Sequence, residues 1–268
     1  MSELYTYVIE SYQDPMFLLF PVYSTLLGIG FYLLFALPLT AIAHYDPKSL
    51  RKYKVSDEPI DVKKYFWKSL GKLFSHNILL LIIVCAMWPL TRVFGVHAGE
   101  LPPWYLIIAQ ILFFLYVDDF ITYWAHKGLH TPWLYRHVHS VHHRVKHPSA
   151  MDNSYFHWAE YLILVTTGQI APLLMGAHVY VIWAWLFIRI WQSVGGHSGY
   201  SFPWTPLRLI PLFEGGDYHY YHHTDQRGNM SGILPYLDRI WGRTSPTYTK
   251  YKQAQLNGKR KRWLKLSW

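Results

Sequence analysis

The chain has 268 residues; 51% are hydrophobic, 18% aromatic and only 15% charged, and the net charge is +9. Soluble domains carry about a quarter charged residues, so this chain lacks the groups that cover a water-facing surface; its composition excludes disorder, and its single cysteine, Cys85, excludes a disulfide-stapled secreted fold. The basic balance points to an anionic membrane surface and not to nucleic acid, because the basic residues sit beside apolar runs and no zinc-finger or RNP-type motif is present.

In chain order, the first apolar run extends from Met16 to about Ala43 and is interrupted by Pro21 and Pro38. It exceeds the roughly 20 residues that a span needs. The first 47 residues contain no Lys or Arg, and Glu3, Glu10 and Asp14 precede the run where a signal peptide would be basic. We therefore expect a retained span with its N-terminus facing away from the cytoplasm. A second span is expected from Asn77 to about Val96, and a third from Pro103 to about Trp124, its start marked by Pro102 and Pro103. Asp118 and Asp119 lie in the last turns of the third span, where acids are costly unless paired. The long apolar stretch from Tyr161 to Trp191 contains Pro172 and Gly176 and reads as a tight helical hairpin, Tyr161–Leu174 and Ala177–Trp191.

Charge asymmetry orients these spans. Residues 44–75 carry eight Lys/Arg and residues 195–268 carry eleven, whereas 97–103 carry none. The positive-inside rule puts both basic regions in the cytoplasm, and three spans from an outward N-terminus bring residues 125–160 to the same side. The terminal Lys259-Arg-Lys-Arg262 run, with Trp263 and Trp268, reads as an anchor at anionic headgroups. The expected fold is all-α: one polytopic integral-membrane domain over 1–268, with about four to five transmembrane or re-entrant helices capped by a cytoplasmic helical histidine-rich region.

The histidines are clustered. His126-Lys-Gly-Leu-His130 is followed by His139-Ser-Val-His142-His143 and, much later, by His219-Tyr-Tyr-His222-His223. On a helix, positions i, i+3 and i+4 share a face, so each triplet is expected to present three imidazoles together, with His126 and His130 adding two more. Crowding neutral imidazoles on one face desolvates them without gain unless something shares their lone pairs. Eight nitrogens suit two ions with positions left open. Imidazole-only ligation favours a redox metal over structural zinc, magnesium or calcium. His137 and His147 fall inside the dense segment but outside the pattern. Asp119 stands two turns before His126, as a ligand-orienting group, a helix-pairing or capping group, or an interface residue; Asp217 and Asp225 bracket the third cluster with the same alternatives. His157 and Glu160 stand beyond the second cluster as second-shell or additional ligands. His197, read from the residues alone, is either a ligand or a core residue.

These three boxes, in this order, resemble the fatty-acid hydroxylase / sterol desaturase superfamily of membrane di-iron enzymes over roughly residues 110–245. Within it the chain looks most like the C4-methylsterol oxidases, through Tyr135-Arg-His-Val-His139-Ser-Val-His142-His143, His197-Ser-Gly-Tyr200-Ser-Phe-Pro203 and Gly228-Asn229-Met-Ser-Gly. His157-Trp-Ala-Glu160 falls where that subgroup has His-Pro-x-Glu, and Arg144 stands where an acidic residue often follows the second box.

The resemblance implies His197 as a further iron ligand and two Fe ions held by His126, His130, His139, His142, His143, His197, His219, His222 and His223. O2 would be the co-substrate, with NAD(P)H electrons delivered through cytochrome b5 or its reductase. The implied reaction takes the C4 methyl group of a sterol to alcohol, aldehyde and carboxylate at the endoplasmic reticulum membrane, or at another inner membrane in a bacterium. Tyr200, Trp204 and Trp191 are candidates for lining the substrate mouth or for interfacial anchoring. The alternatives are a C5-sterol desaturase, a fatty-acyl or sphingolipid hydroxylase or a carotenoid hydroxylase of the same superfamily, and more remotely a membrane metal transporter.

Overall fold

The computed structural model describes residues 3–266, with side chains described to position 258. Trp268 and the side chains of the Lys259–Arg262 run and Trp263, expected as an anchor, lie outside the described residues. Helix α1 (Glu3–Gln13) precedes a π-helical turn at Leu18–Tyr23 that runs directly into α2 (Ser24–Tyr45). The wide turn accommodates Pro21, which has no N–H to donate, and Thr25 Oγ1 bonds back to the Pro21 carbonyl at 2.8 Å. Helix α3 spans Val62–Ala86, the short α4 Trp88–Thr91 and α5 Trp104–Leu129. After α6 (Pro132–His137) come two 3₁₀ turns, His139–Arg144 and Ala150–Ser154. Helices α7 (Trp158–Leu174) and α8 (Val179–Gly196) form the expected hairpin, closed at Gly176 with φ +55°. Helices α9 (Gly216–Asp225), α10 (Tyr236–Ile240) and α11 (Pro246–Leu266) complete the chain. Among the described residues only two isolated β-bridges interrupt this all-α architecture.

Among the described residues, three helical stretches are long and apolar enough to cross a membrane: Leu18–Tyr45, Val62–Ala86 and Trp104–Leu129. With their exposed apolar residues they make this a multi-pass membrane protein. The second span differs from the expected Asn77–Val96. It begins at Val62, inside the stretch read as a basic loop, and ends at Ala86. The cause is amphipathicity: Asp61 caps the helix by accepting the Lys64 N–H, Lys63, Lys64 and Lys68 point outward, and Ser69, Leu73, His76 and Asn77 are buried on the other face.

Helix α5 packs against α7 and α8, and α2 against α8 and α3. Phe114, Leu115, Val181, Ile182, Trp185 and Leu234 form the main apolar core. The acids at the end of α5 are paired. Asp118 forms an ion pair with Arg189 of α8 at 2.8 Å, and Arg189 Nη2 also donates to the Leu164 carbonyl and Thr167. Gly168 makes room for this guanidinium, since a Cβ there would lie 2.4 Å from Arg189 Nε. Helix α1 docks on α4: the Trp88 indole donates to the Ser11 carbonyl at 2.7 Å, and Arg92 pairs with Asp14 at 3.0 Å.

The Ala150–Ser154 turn is held from both sides. Asp152 closes a capping box with Ser149 and accepts from Ser69 Oγ of α3, while Tyr32 OH of α2 donates to the Met151 carbonyl at 2.8 Å. This fixes the chain leaving the second histidine cluster against the tops of α2 and α3.

Candidate metal centre

The histidines meet at one end of the bundle because each stretch of chain is stopped there. Helix α5 carries His126 in its last turn and ends with His130 as C-cap, before Thr131-Pro132 breaks the helix. The next stretch is a 3₁₀ turn and not the α-helix expected for it, and the third is the α-helix α9.

Nine imidazoles gather in two groups, each with its ligand atoms within 4.8 Å of one another: His126, His130, His139, His143 and His222 in one, and His142, His197, His219 and His223 in the other. The expectation that each triplet presents its three rings together is corrected. His139 and His143 face the group of five while His142 faces the group of four; in α9 the assignment reverses, with His222 in the group of five and His219 and His223 in the group of four. Each triplet thus bridges both groups, its i and i+4 rings on one side and its i+3 ring on the other, whereas His126 and His130 both belong to the group of five.

Ring tautomers follow from the outer hydrogen bonds. His126 Nδ1–H donates to the Met230 carbonyl (2.7 Å), His222 Nδ1–H to Gly228 (2.9 Å), His223 Nδ1–H to Val145 (2.9 Å), His197 Nδ1–H to Ser193 (2.8 Å) and His139 Nδ1–H to Glu160 Oε1 (2.7 Å). In each ring this leaves the Nε2 lone pair free. Those lone pairs converge. His126 and His139 Nε2 are 3.1 Å apart, His139 and His143 2.9 Å, His143 and His222 3.1 Å, and His197 and His219 3.1 Å.

For His126 and His139 both ring protons are already committed elsewhere, so the short contact is lone pair against lone pair. Only a cation between them makes it favourable. Imidazole binds first-row metals at about 2.1 Å, which sets neighbouring ligands at a right angle about 3.0 Å apart, the spacing seen here. His223 Nε2 and the Nδ1 atoms of His142, His143 and His219 are buried without a partner among the described residues. Burial first, and neighbouring imidazoles second, hold His139, His142, His143, His219 and His223 well below the ordinary imidazole value of 6.5. Neutral rings are the form that binds metal. The residues present fit a pair of ions.

The remaining sequence-predicted groups divide. Glu160, fully buried, contacts His139. Asp119 Oδ1 accepts the Ile233 and Leu234 N–H groups at 3.0 Å, and so holds the loop whose Met230 carbonyl orients His126. Asp217 accepts from Ser201 and lies 3.7 Å from Lys252 of α11, while Asp225 is engaged by Ser245, Thr247 and Arg227. Both brace α9 from outside the imidazole groups.

His157 joins neither group. Its Nδ1 caps α7 by accepting the Ala159 N–H at 3.3 Å, because the chain turns into the helix there and aims the ring back at the first turn. His137 bonds to the Trp133 carbonyl at the surface, and His147 to Tyr220 OH. Sequence reasoning missed the orienting carbonyls of Met230, Gly228, Val145 and Ser193, which no residue type signals.

Below the imidazoles, a cavity of about 260 Å³ runs between α2, α3, α5, α7 and α8. Its roof includes His126, His139, His142, His197 and His219, and its walls are apolar at Phe20, Leu73, Leu80, Val84, Leu186 and Ile190. Tyr200, Trp204 and Trp191, considered for its mouth, lie elsewhere. Tyr200 OH bonds to Asp46, Trp204 packs on Tyr53 and Phe202, and Trp191 stacks on Phe35.

Comparison with known proteins gives the same placement. Residues 111–243 match the fatty acid hydroxylase family. The chain is similar to methylsterol monooxygenase 2-2 of Arabidopsis thaliana, 37% identical over 216 residues, covering 78% of this chain and 80% of that protein. It is also similar to a very-long-chain aldehyde decarbonylase of Oryza sativa subsp. indica, 35% identical over 209 residues (76% and 78%), and to methylsterol monooxygenase 1 of Rattus norvegicus, 33% identical over 225 residues (83% and 76%). No solved structure matches. The chain belongs to the fatty acid hydroxylase family, and within the fatty-acid-hydroxylase/sterol-desaturase superfamily it is a membrane di-iron oxidoreductase.

Proposed function

We propose that this enzyme oxidises the C4 methyl group of sterol intermediates, in successive rounds, to alcohol, aldehyde and carboxylate. The observation that carries the reading is the cavity: an apolar chamber inside the membrane bundle whose roof is made of imidazoles from both groups. An apolar ring system is held by the apolar walls without directional bonds, and its reacting carbon is brought to the imidazole roof. The nine histidines act as the ligands, with Glu160 and Asp119 as positioning groups.

Bound there, two ferrous ions supply the activation of O2 that attack on an unactivated C–H bond requires. The chain's own contribution is positional. Carbonyls of residues 145, 193, 228 and 230 and the Glu160 carboxylate fix the rings, and the buried walls keep water from the reacting carbon. The first round converts R–CH3, O2, two electrons and two protons into R–CH2OH and water. The electrons come from NAD(P)H through cytochrome b5 or its reductase, an acidic partner suited to the basic surface. The family resemblance suggests the endoplasmic reticulum, and the charge bias supports a metal site in the cytoplasm with the α7–α8 hairpin returning the chain to that side.

A second reading, decarbonylation of very-long-chain aldehydes, is favoured by the similarity to the rice decarbonylase. The test is purification with iron analysis, then an O2- and electron-dependent assay on 4-methylsterols and on long-chain aldehydes, with products identified by mass spectrometry. Stepwise oxidation of the sterol methyl is expected. Conversion of the aldehyde alone transfers the assignment to the second reading.

A further inference from the structure

One wall of the cavity carries two buried polar atoms that the protein leaves without partners. Glu160, at 0% exposure, uses Oε1 to accept from His139, while its Oε2 has no hydrogen-bond partner among the described residues. On α3, His76, stacked on Tyr161 next to Glu160 in the chain, is 6% exposed, and its Nδ1 is likewise buried and unpartnered. Both residues line the cavity. Their neighbours are satisfied: Tyr161 OH donates to Asn77 Oδ1 at 3.0 Å, and Asn77 Nδ2 donates to the Leu73 carbonyl at 2.8 Å. The His76 ring is fixed by stacking on Tyr161, with ring centres 5.2 Å apart. The corner between α3 and α7 is therefore rigid and incomplete.

Buried polar atoms are costly unless something pairs with them. A carboxylate oxygen needs a donor, and His76 Nδ1, in the tautomer that carries its proton there, needs an acceptor. A hydroxyl supplies both from one oxygen, whereas a carbonyl or an ether can only accept. We infer that this corner binds a hydroxyl of the lipid substrate between Glu160 and His76, and so selects lipids whose hydroxyl sits close to the carbon being oxidised. The closeness follows from connectivity: Glu160 is separated from the group of five only by the His139 ring, so a hydroxyl on its free oxygen lies beside the metal-facing roof. The inference rests on the cavity being the substrate site and deepens that reading. A sterol hydroxyl at C3 beside a methyl at C4 meets the requirement, and an alkyl aldehyde has no hydroxyl to donate. Glu160 then has two positions to set, that of His139 and that of the substrate; His76 sets the second alone.

The experiment measures dissociation constants for the full-length protein in detergent micelles with two ligand pairs: a 4-methylsterol and its 3-deoxy analogue, and a very-long-chain primary alcohol and the matching alkane. The variants are His76→Phe, which keeps the stack on Tyr161, and Glu160→Gln, which keeps an oxygen for His139. With the wild type, the hydroxylated member of the sterol pair is expected to bind about 10-fold more tightly or better. That gap is expected to close in His76→Phe at unchanged iron content and to shrink in Glu160→Gln. Equal binding of both members in each of the two pairs to the wild type, a gap that survives both variants, or no binding of any ligand overturns the inference. If 4-methylsterols are oxidised without any such gap, the corner falls while the proposed function stands. If only the alcohol pair shows a gap that the variants close, the corner stands and the sterol reading falls.

Discussion

The two histidine groups are built from the same side chain, yet they are anchored differently. In the group of five, His126, His139 and His222 have their outer nitrogens held by Met230, Glu160 and Gly228. In the group of four, Ser193 and Val145 hold His197 and His223, while the Nδ1 atoms of His142 and His219, like that of His143 in the group of five, have no partner among the described residues. The cavity touches His142, His197 and His219 of the group of four, but only His126 and His139 of the group of five. Outer-sphere hydrogen bonds set ring orientation and ligand basicity. The group of four, with fewer ligands and more rings facing the cavity, is expected to release its ion more readily than the group of five.

The largest test of this contrast removes one ligand from each side. His142→Ala and His222→Ala should each abolish turnover and lower bound iron by about half, with the iron lost more easily from the group of four. Equal retention by the two variants under graded chelation would break the contrast. Acid acts on both groups at once. Burial holds His130 down to about 3 and His197 to about 4, against 6.5 for an unburied imidazole. Between those values the unfolded chain takes up protons that the folded chain refuses. The stability of the metal-free protein is therefore intact above pH 6.5 and declines as pH falls toward 4 and then 3. Thermal melts of iron-free protein across that range check the sign.

The Asp118–Arg189 pair lies outside both groups and serves as a control. Arg189→Met strands a buried carboxylate and should cost about 3–5 kcal/mol of stability, whereas the double variant Asp118→Leu/Arg189→Met should recover most of that loss. Iron content per folded protein should not change in either. Glu160→Ala sharpens the contrast directly: metal affinity of the group of five should fall about 10- to 100-fold, with the group of four unaffected. The smallest effect is expected from His157→Ala, which deletes a helix cap and should cost about 1 kcal/mol without loss of iron. A fall in bound iron would return His157 to the ligand set.

Much of this was legible in residue order. The spacing of His126 and His130 and of the two triplets marked a metal site before any coordinates, and the apolar runs marked the spans. What misled was equally local. Lys63, Lys64, Lys68 and Lys72 read as loop because charge was weighed without the buried face of Ser69, Leu73 and His76 opposite them. The 3₁₀ form of His139–Arg144 was invisible, since the same residues suit an α-helix, and so was the division of each triplet between two groups, which occurs in the α-helix α9 as well. Arg189 carried no signal until Asp118, 71 residues away, came to lie 2.8 Å from it.

By itself, the order of residues marked eight imidazoles as candidate metal ligands near the ends of apolar helices and left His197 open, because ligand type and helix periodicity are properties of short segments. Only the tertiary structure decided which ring joins which group, which carbonyl sets each tautomer, and where the cavity meets the histidines. Those depend on long-range contacts, and the groups that settle them are backbone oxygens that every residue carries alike.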